Sequence, residues 1–222
     1  MHDDTQLSDL MSRPDLPTIA ATINATLDAE RQARTAFRDN LTPSEKSEFI
    51  GGQVIMQSPA KAKHLRATER LVRLLSTFVE LQGLGEVFTE KALVCLTRND
   101  YEPDICFFSS AKAAAFDGET MQFPAPDFVV EVLSDSTEAR DRGVKYADYA
   151  LHKVGEYWII DCDEQTVEQY VLRDSKSEYH LARKISNGDI ESTIVNGFRI
   201  PVVAIFDAQR NRETLTKLLA SE

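Results

Sequence analysis

Residues 128–133 read Phe128-Val-Val-Glu-Val-Leu133, an apolar run with a single acid, Glu131, near its centre. The β-branched residues and the preceding Pro124-Ala-Pro126 predict a short buried strand. Burying an ionised carboxylate without a partner costs several kcal/mol. Glu131 therefore requires a metal, a basic residue or a position at a sheet edge that faces water.

A second acid stands in a similar setting, where Asp104 follows Pro103 and opens the apolar run Asp104-Ile-Cys-Phe-Phe108. A strand that begins there can pair beside the Glu131 strand. Asp127 offers another Pro-Asp pair, but it lies in the same strand as Glu131, roughly 13 Å away at extended rise. Two carboxylates on adjacent strands, with a lysine such as Lys145 nearby, suit Mg²⁺ or Mn²⁺ and phosphodiester hydrolysis. Asp104 and Glu131 are the predicted metal ligands.

Hydrophobic periodicity predicts an α/β fold, three-layered or sandwich-like, with a mixed central β-sheet flanked by helices. The predicted strands are 53–56, 85–89, 92–96, 104–108 and 128–133, with a hairpin of 157–161 and 167–172. The predicted helices are 18–39, 42–50, 61–82, 137–152 and 207–219. We expect residues 1–40 to form an N-terminal helical extension and residues 41–222 to form the main domain.

Net charge, cysteine spacing and hydropathy each argue against certain classes of protein. The 222 residues carry a formal charge of −11, which argues against indiscriminate binding to polyanions. The three cysteines are far apart and form no Cys-X-X-Cys pair, so neither a disulfide framework nor a zinc site is indicated. No run of 18 apolar residues occurs and the N-terminus is polar and acidic, so we expect a cytoplasmic protein without a membrane span.

Several short motifs together resemble the Uma2 family of restriction-endonuclease-like proteins in the PD-(D/E)XK nuclease superfamily. The matching residues are Glu48-Phe-Ile-Gly-Gly52, Ser58-Pro59, His64, Pro103-Asp104, Pro126 to Ser134, Asp141, Lys145, Tyr149 and Glu156 to Asp161. The resemblance covers residues 49 to about 170 and implies a restriction-endonuclease-like fold. It also implies a divalent metal on Asp104 and Glu131, with the main-chain carbonyl of Val132 completing the shell.

One position departs from the superfamily pattern, because Leu133 stands where a lysine is usual. The resemblance implies that this lysine has migrated to the next helix, as Lys145, four residues before Tyr149 and on the same helical face. Glu48 matches an acid that the superfamily contributes from its first helix. His64 opens the long helix, where it could touch phosphate or lie on the surface. Glu48, His64 and Tyr149 are expected to support the site.

These residues predict a Mg²⁺- or Mn²⁺-dependent endonuclease that acts on nucleic acid, with DNA favoured over RNA. A non-catalytic nucleic-acid-binding or interaction module on a degenerate nuclease fold is the main alternative, in keeping with Leu133 and the net acidity. A small-molecule-binding α/β domain would predict no metal site between Asp104 and Glu131. A homodimer is consistent with the apolar stripe of the N-terminal helix, and with the need for two sites to cut a duplex.

Overall fold

The computed structural model describes residues 2–42, 45–173 and 177–220. Its helices are α1 (His2–Met11), α2 (Leu16–Asp39), α3 (Ala62–Gln82), α4 (Ser110–Ala113), α5 (Glu138–Arg140), α6 (Tyr146–Leu151), α7 (Val203–Phe206) and α8 (Ala208–Leu219), with a π-helical turn at Asp141–Lys145. Its strands are β1 (Ser47–Ile50), β2 (Gln53–Met56), β3 (Gly85–Thr89), β4 (Leu93–Cys95), β5 (Asp100–Tyr101), β6 (Ile105–Ser109), β7 (Gln122–Phe123), β8 (Phe128–Val132), β9 (Glu156–Asp161), β10 (Thr166–Arg173), β11 (Glu178–Ile185), β12 (Asp189–Glu191) and β13 (Arg199–Pro201).

A six-stranded mixed sheet forms the centre of the fold, in the order β11-β10-β9-β8-β6-β3. Strands β8 and β9 run parallel, and the other neighbours run antiparallel. Ile105 pairs with Val130 across β6 and β8. Because the two strands are antiparallel, the next pair in this register is Asp104 opposite Glu131. The two side chains therefore lie on the same side of the sheet.

One face of the central sheet packs against α3, α7 and α8. The apolar stripe of α3 is fully buried there at Leu71, Leu74 and Leu75, each of which stabilises the fold by about 1.5–3 kcal/mol. Gly83 ends α3 in a left-handed conformation with φ 61°, which glycine adopts without steric cost. The predicted helix at 61–82 and its glycine stop are therefore confirmed.

A second sheet, in the order β2-β1-β5-β4-β7, covers the opposite face together with α6. The predicted strand at 92–96 forms as β4 but belongs to this second sheet, so its expected place in the central sheet was wrong. Helices were expected on both faces. On this face the second sheet, rather than helices, covers most of the central sheet, because Val94 and Tyr101 pack in one apolar cluster with Val129 and Ile159.

The helix predicted at residues 42–50 was also wrong. Within this range, Ser47–Ile50 is strand β1, paired with β2; Pro43 and Ser44 lie outside the described residues. Gly51 and Gly52 have φ of 56° and 84°, and two positive φ values make a tight hairpin turn. The two glycines thus connect two strands rather than ending a helix, and Glu48 is a strand residue.

The predicted helix at 137–152 forms as one continuous helical segment, α5, the π turn and α6. The hairpin of β9 and β10 and the closing helix α8, capped by the Asp207 side chain, also agree with prediction. The mixed α/β fold is confirmed. Across the described part of the chain, no helix combines the length and apolarity needed to cross a bilayer.

Helix α2 is fixed to the second sheet by charge and by aromatic packing. Arg34 and Arg38 both bind the fully buried Asp100, with Nη2 to Oδ1 distances of 2.5 and 2.7 Å. Phe37 stacks at an angle on Phe49 of β1, with 5.8 Å between ring centroids. The division of the chain at residue 40 stays a prediction.

Candidate active site

A cleft of about 530 Å³ opens between the start of β6, the centre of β8, the first turn of α3, and the residues that precede β1 and follow β2. Asp104, Glu131 and Lys145 lie at its base. Both acidic side chains are buried, 5% exposed for Asp104 and 4% for Glu131. Each needs compensation, and each has a lysine within 3.0 Å.

Lys145 is surrounded by carboxylates. Its Nζ lies 2.8 Å from Glu48 Oε1, 3.0 Å from Glu131 Oε1 and 3.3 Å from Asp141 Oδ1, and its side chain is 2% exposed. Burial alone would lower the pKa of Lys145, but Glu131, Glu48 and Asp141 together raise it well above its ordinary value. Lys145 is therefore an ammonium ion and a hydrogen-bond donor.

Tyr149 supports the same carboxylate, because its hydroxyl donates to Glu131 Oε1 at 3.1 Å. The π turn ends at Lys145 and α6 continues from it, so both side chains reach Glu131 from one helical segment. Single π turns recur at functional sites. Burial raises the pKa of Glu131, and the negative charges of Asp141, Asp104 and Glu48 raise it further, against the opposing effect of Lys145.

Asp104 has a different environment. Its Oδ1 accepts from Lys46 Nζ at 2.9 Å and lies 3.4 Å from His64 Nε2, and its Oδ2 accepts from the Val132 main-chain N–H at 2.8 Å. Burial would raise the pKa of Asp104, but His64, Lys46 and the Val132 N–H together lower it below its usual range. Two opposed acids thus differ sharply in pKa. The role of the Val132 carbonyl as a metal ligand stays a prediction.

Glu48 enters the site from β1 of the second sheet, not from a helix as expected. Its Oε1 accepts from the Glu102 main-chain N–H at 3.2 Å as well as binding Lys145. Its Oε2 is buried without a hydrogen-bond partner among the described residues. Glu48 therefore keeps one free acceptor inside the site.

The structure brings together all six predicted site residues, whereas Asp127, the aspartate of the other Pro-Asp pair, lies outside the site. The six are Glu48, His64, Asp104, Glu131, Lys145 and Tyr149. Asp127 accepts from the Ser109 main-chain N–H at 2.8 Å and binds Lys112 at 2.8 Å, at the other end of β8. Sequence reasoning missed Lys46 and named Asp141 as a residue of the family resemblance, with no role in the site, whereas both contact the cluster. The spacing could have revealed them, because Lys46 precedes Glu48 by two residues along an extended segment and Asp141 precedes Lys145 by four along a helix.

The residues present fit a divalent cation by their chemistry. Within residues 2–42, 45–173 and 177–220, no three His, Cys, Asp or Glu side chains are placed to hold a metal together, and Lys46 and Lys145 lie against the carboxylates. Mg²⁺ is usually held by one or two carboxylates, with water and substrate phosphate completing its shell. Asp104 and Glu131 would supply that pair, and the buried Glu48 Oε2, which has no hydrogen-bond partner among the described residues, is a further acceptor in the cluster.

One protein family and several known proteins are similar to this chain. The family model Uma2, described as "Putative restriction endonuclease", matches residues 34–203. The chain belongs to the Uma2 family. Two Synechocystis proteins, "Uncharacterized protein sll1609" and "Uncharacterized protein slr1290", are each 31% identical to it, over 57% and 65% of this chain and 72% and 70% of their own.

A solved structure from Anabaena variabilis, titled as a "putative nuclease belonging to DUF820", shares the fold with a TM-score of 0.66. The two chains are 21% identical, and the match covers 86% of this chain and 98% of the other. This likeness confirms the restriction-endonuclease-like fold of the Uma2 protein.

Proposed function

We propose that this Uma2 protein is a divalent-metal-dependent endonuclease that hydrolyses phosphodiester bonds of nucleic acid, DNA in preference to RNA. The observation that carries the proposal is the pair of buried acids, Asp104 and Glu131, set opposite each other at the base of a cleft with Lys145 on one of them. The family description, a restriction endonuclease, supports DNA as the substrate.

The charge balance of the cluster supports a divalent cation. Asp104 contacts Lys46, and Glu48, Glu131 and Asp141 all contact Lys145. Four carboxylates thus share two lysines. Burial in this acidic cluster raises the pKa of Glu131 and that of Asp141, and a divalent cation on Asp104 and Glu131 would stabilise the ionised carboxylates. Asp104 and Glu131 would hold Mg²⁺ or Mn²⁺, which when bound supplies Lewis acidity and a more acidic water.

Lys145 would stabilise the negative charge that grows on the phosphate oxygens as water adds to phosphorus and the bond to the leaving oxygen breaks. As an ammonium ion it donates hydrogen bonds and can orient the water, but it does not accept a proton. Tyr149 and Glu48 are positioning residues, because they fix Glu131 and Lys145. His64 does the same for Asp104.

The test is cleavage of plasmid DNA, single-stranded DNA and RNA with Mg²⁺ or Mn²⁺. We expect Asp104→Asn, Glu131→Gln and Lys145→Met each to lower the rate by about 10²-fold or more, the usual size of losing one preorganised charge. Asp127→Asn is the matched control, since it alters the other Pro-Asp pair of the chain. Equal losses in the control, or no cleavage by a folded and metal-bound wild type, would count against the proposal.

Absence of cleavage by a folded and metal-bound wild type would favour a non-catalytic nucleic-acid-binding module, the alternative suggested by Leu133. Against that alternative, Lys145 lies 3.0 Å from Glu131, near enough to serve in place of a lysine at position 133. An active nuclease would act in the cytoplasm, and a homodimer would bring two sites to one duplex.

A further inference from the structure

Lys46 is a second ammonium group in the site, half-buried, that the proposed chemistry leaves unused. Its backbone is held on two sides, because its carbonyl accepts from Gln57 N–H at 3.0 Å and the next N–H, of Ser47, donates to Glu102 at 2.9 Å. Its side chain lines the cleft and is 19% exposed, whereas that of Lys145 is 2% exposed. Lys46 can therefore move towards the open cleft, and Lys145 has no such room.

The two oxygens of Asp104 have separate partners. Oδ2 is occupied by the Val132 main-chain N–H within the sheet, which fixes the orientation of the carboxylate. Oδ1 faces Lys46 and His64 on the cleft side. Any cation that binds Asp104 from the cleft therefore meets Lys46 at the same oxygen, 2.9 Å away.

We propose that Lys46 competes with the divalent cation for Oδ1 of Asp104, and that cation binding releases the Lys46 ammonium to a phosphate of the nucleic acid in the cleft. The inference rests on the proposed function. It follows that Lys46 weakens metal binding to the free protein, and that a phosphate in the cleft, by accepting the released ammonium, strengthens it. Lys46 thus couples metal binding to substrate binding.

The experiment is calorimetric titration of the full-length protein with Mn²⁺ alone. Lys46→Met should bind Mn²⁺ about tenfold or more tightly than wild type, because it removes a unit charge a few ångströms from the metal position. Lys46→Arg keeps the charge and should bind as wild type does. Lys112→Met is the matched control, since Lys112 holds Asp127 at 2.8 Å outside the cleft. If Lys46→Met does not fold, Lys46→Gln makes the same test.

Equal or weaker Mn²⁺ binding by Lys46→Met, or no binding by either protein, overturns the inference. The two proposals fail in different ways. Tighter binding by Lys46→Met in a protein that cuts no nucleic acid would keep the competition and remove the nuclease. Cleavage that depends on Asp104, with unchanged Mn²⁺ affinity in Lys46→Met, would keep the nuclease and remove the competition.

Discussion

Substitution of Lys145 by Met tests whether the cluster is held together by one buried charge. Methionine is close to lysine in volume, so packing changes little, but Glu48, Glu131 and Asp141 lose the cation that lies 2.8–3.3 Å from all three. Breaking a buried ion pair by removing one partner costs about 3–5 kcal/mol. For a chain of this size that loss lowers Tm by roughly 6–20 °C.

The pH dependence has a definite sign. In the folded protein the pKa of Glu131 is already raised by burial and by its acidic neighbours, and Lys145 opposes that rise. Removing Lys145 raises it further. A folded-state pKa above the unfolded value makes the fold less stable as pH increases through the interval between the two values. The variant should therefore lose more stability at pH 8 than at pH 5.

The assay is urea unfolding of both proteins at pH 5 and pH 8, with EDTA present. Lys61→Met is the control, because Lys61 also binds a carboxylate, Asp135, at 2.7 Å but is 61% exposed. An exposed pair contributes at most about 1 kcal/mol. A loss in Lys145→Met no larger than in this control, or one that is the same at both pH values, would refute the buried-charge account.

Three further changes probe the scaffold. Asp100→Asn should cost about 3–5 kcal/mol and expose α2 to limited proteolysis, because two arginines lose their buried partner; unchanged protease resistance would contradict this. Glu168, bound by Arg142 at 2.7 Å and by Lys184 and Tyr170, has its pKa lowered to about 2 despite burial, so its contribution should be lost as pH falls from 4.5 towards 2. Acid titration of stability should be shallower in Glu168→Gln, and an identical curve would show that the pairing contributes nothing. Gly85→Ala should cost more than about 2 kcal/mol in urea unfolding, since φ is 149° and a Cβ would lie 2.0 Å from the Phe108 carbonyl oxygen. Gly83→Ala, with open space around it, should cost less.

Local pattern was enough to predict the elements with strong periodicity. The run at 128–133 became β8 to within one residue, and the long apolar stripe became α3. The Asp104 strand lies beside β8 as its flanking turns suggested. Helix α3 buries one face, so its period of apolar residues records the packing, whereas β8 and β6 are buried on both faces and appear as continuous apolar runs.

Elements without such a period were missed. Strand β11, which reads Glu178-Tyr-His-Leu-Ala-Arg-Lys-Ile185, is an exposed edge with charges on both sides, so no alternation marks it. The two-residue strands β5 and β7 are too short to show one. The division of strands between two sheets depends on contacts such as Val94 against Val129, which no local window contains.

The same limit applied to the site. Asp104 and Glu131 were visible because an acid in an apolar run conflicts with its surroundings. Lys46 was not, because it sits in a polar stretch and its partner is 58 residues away. Asp141 was named as part of the family resemblance, and its contact with Lys145, four residues along the same helical segment, became visible in the structure. Acids were predicted from the cost of burying them, whereas the cations that offset that cost came from elsewhere in the fold.

In the proposed nuclease, Lys145 would take the role of the lysine that is usual at position 133. Leu133 packs with the apolar cluster between the sheets, while Lys145 reaches Glu131 from the helical segment that follows. The same ammonium binds Glu48 of the second sheet and Asp141 of the π turn. One side chain therefore links β8, β1 and the π turn. A lysine on β8 itself would have required no such docking. This cluster of carboxylates and lysine is therefore complete only when the second sheet is packed on the first, so the proposed chemistry would depend on the apolar contacts between the two sheets.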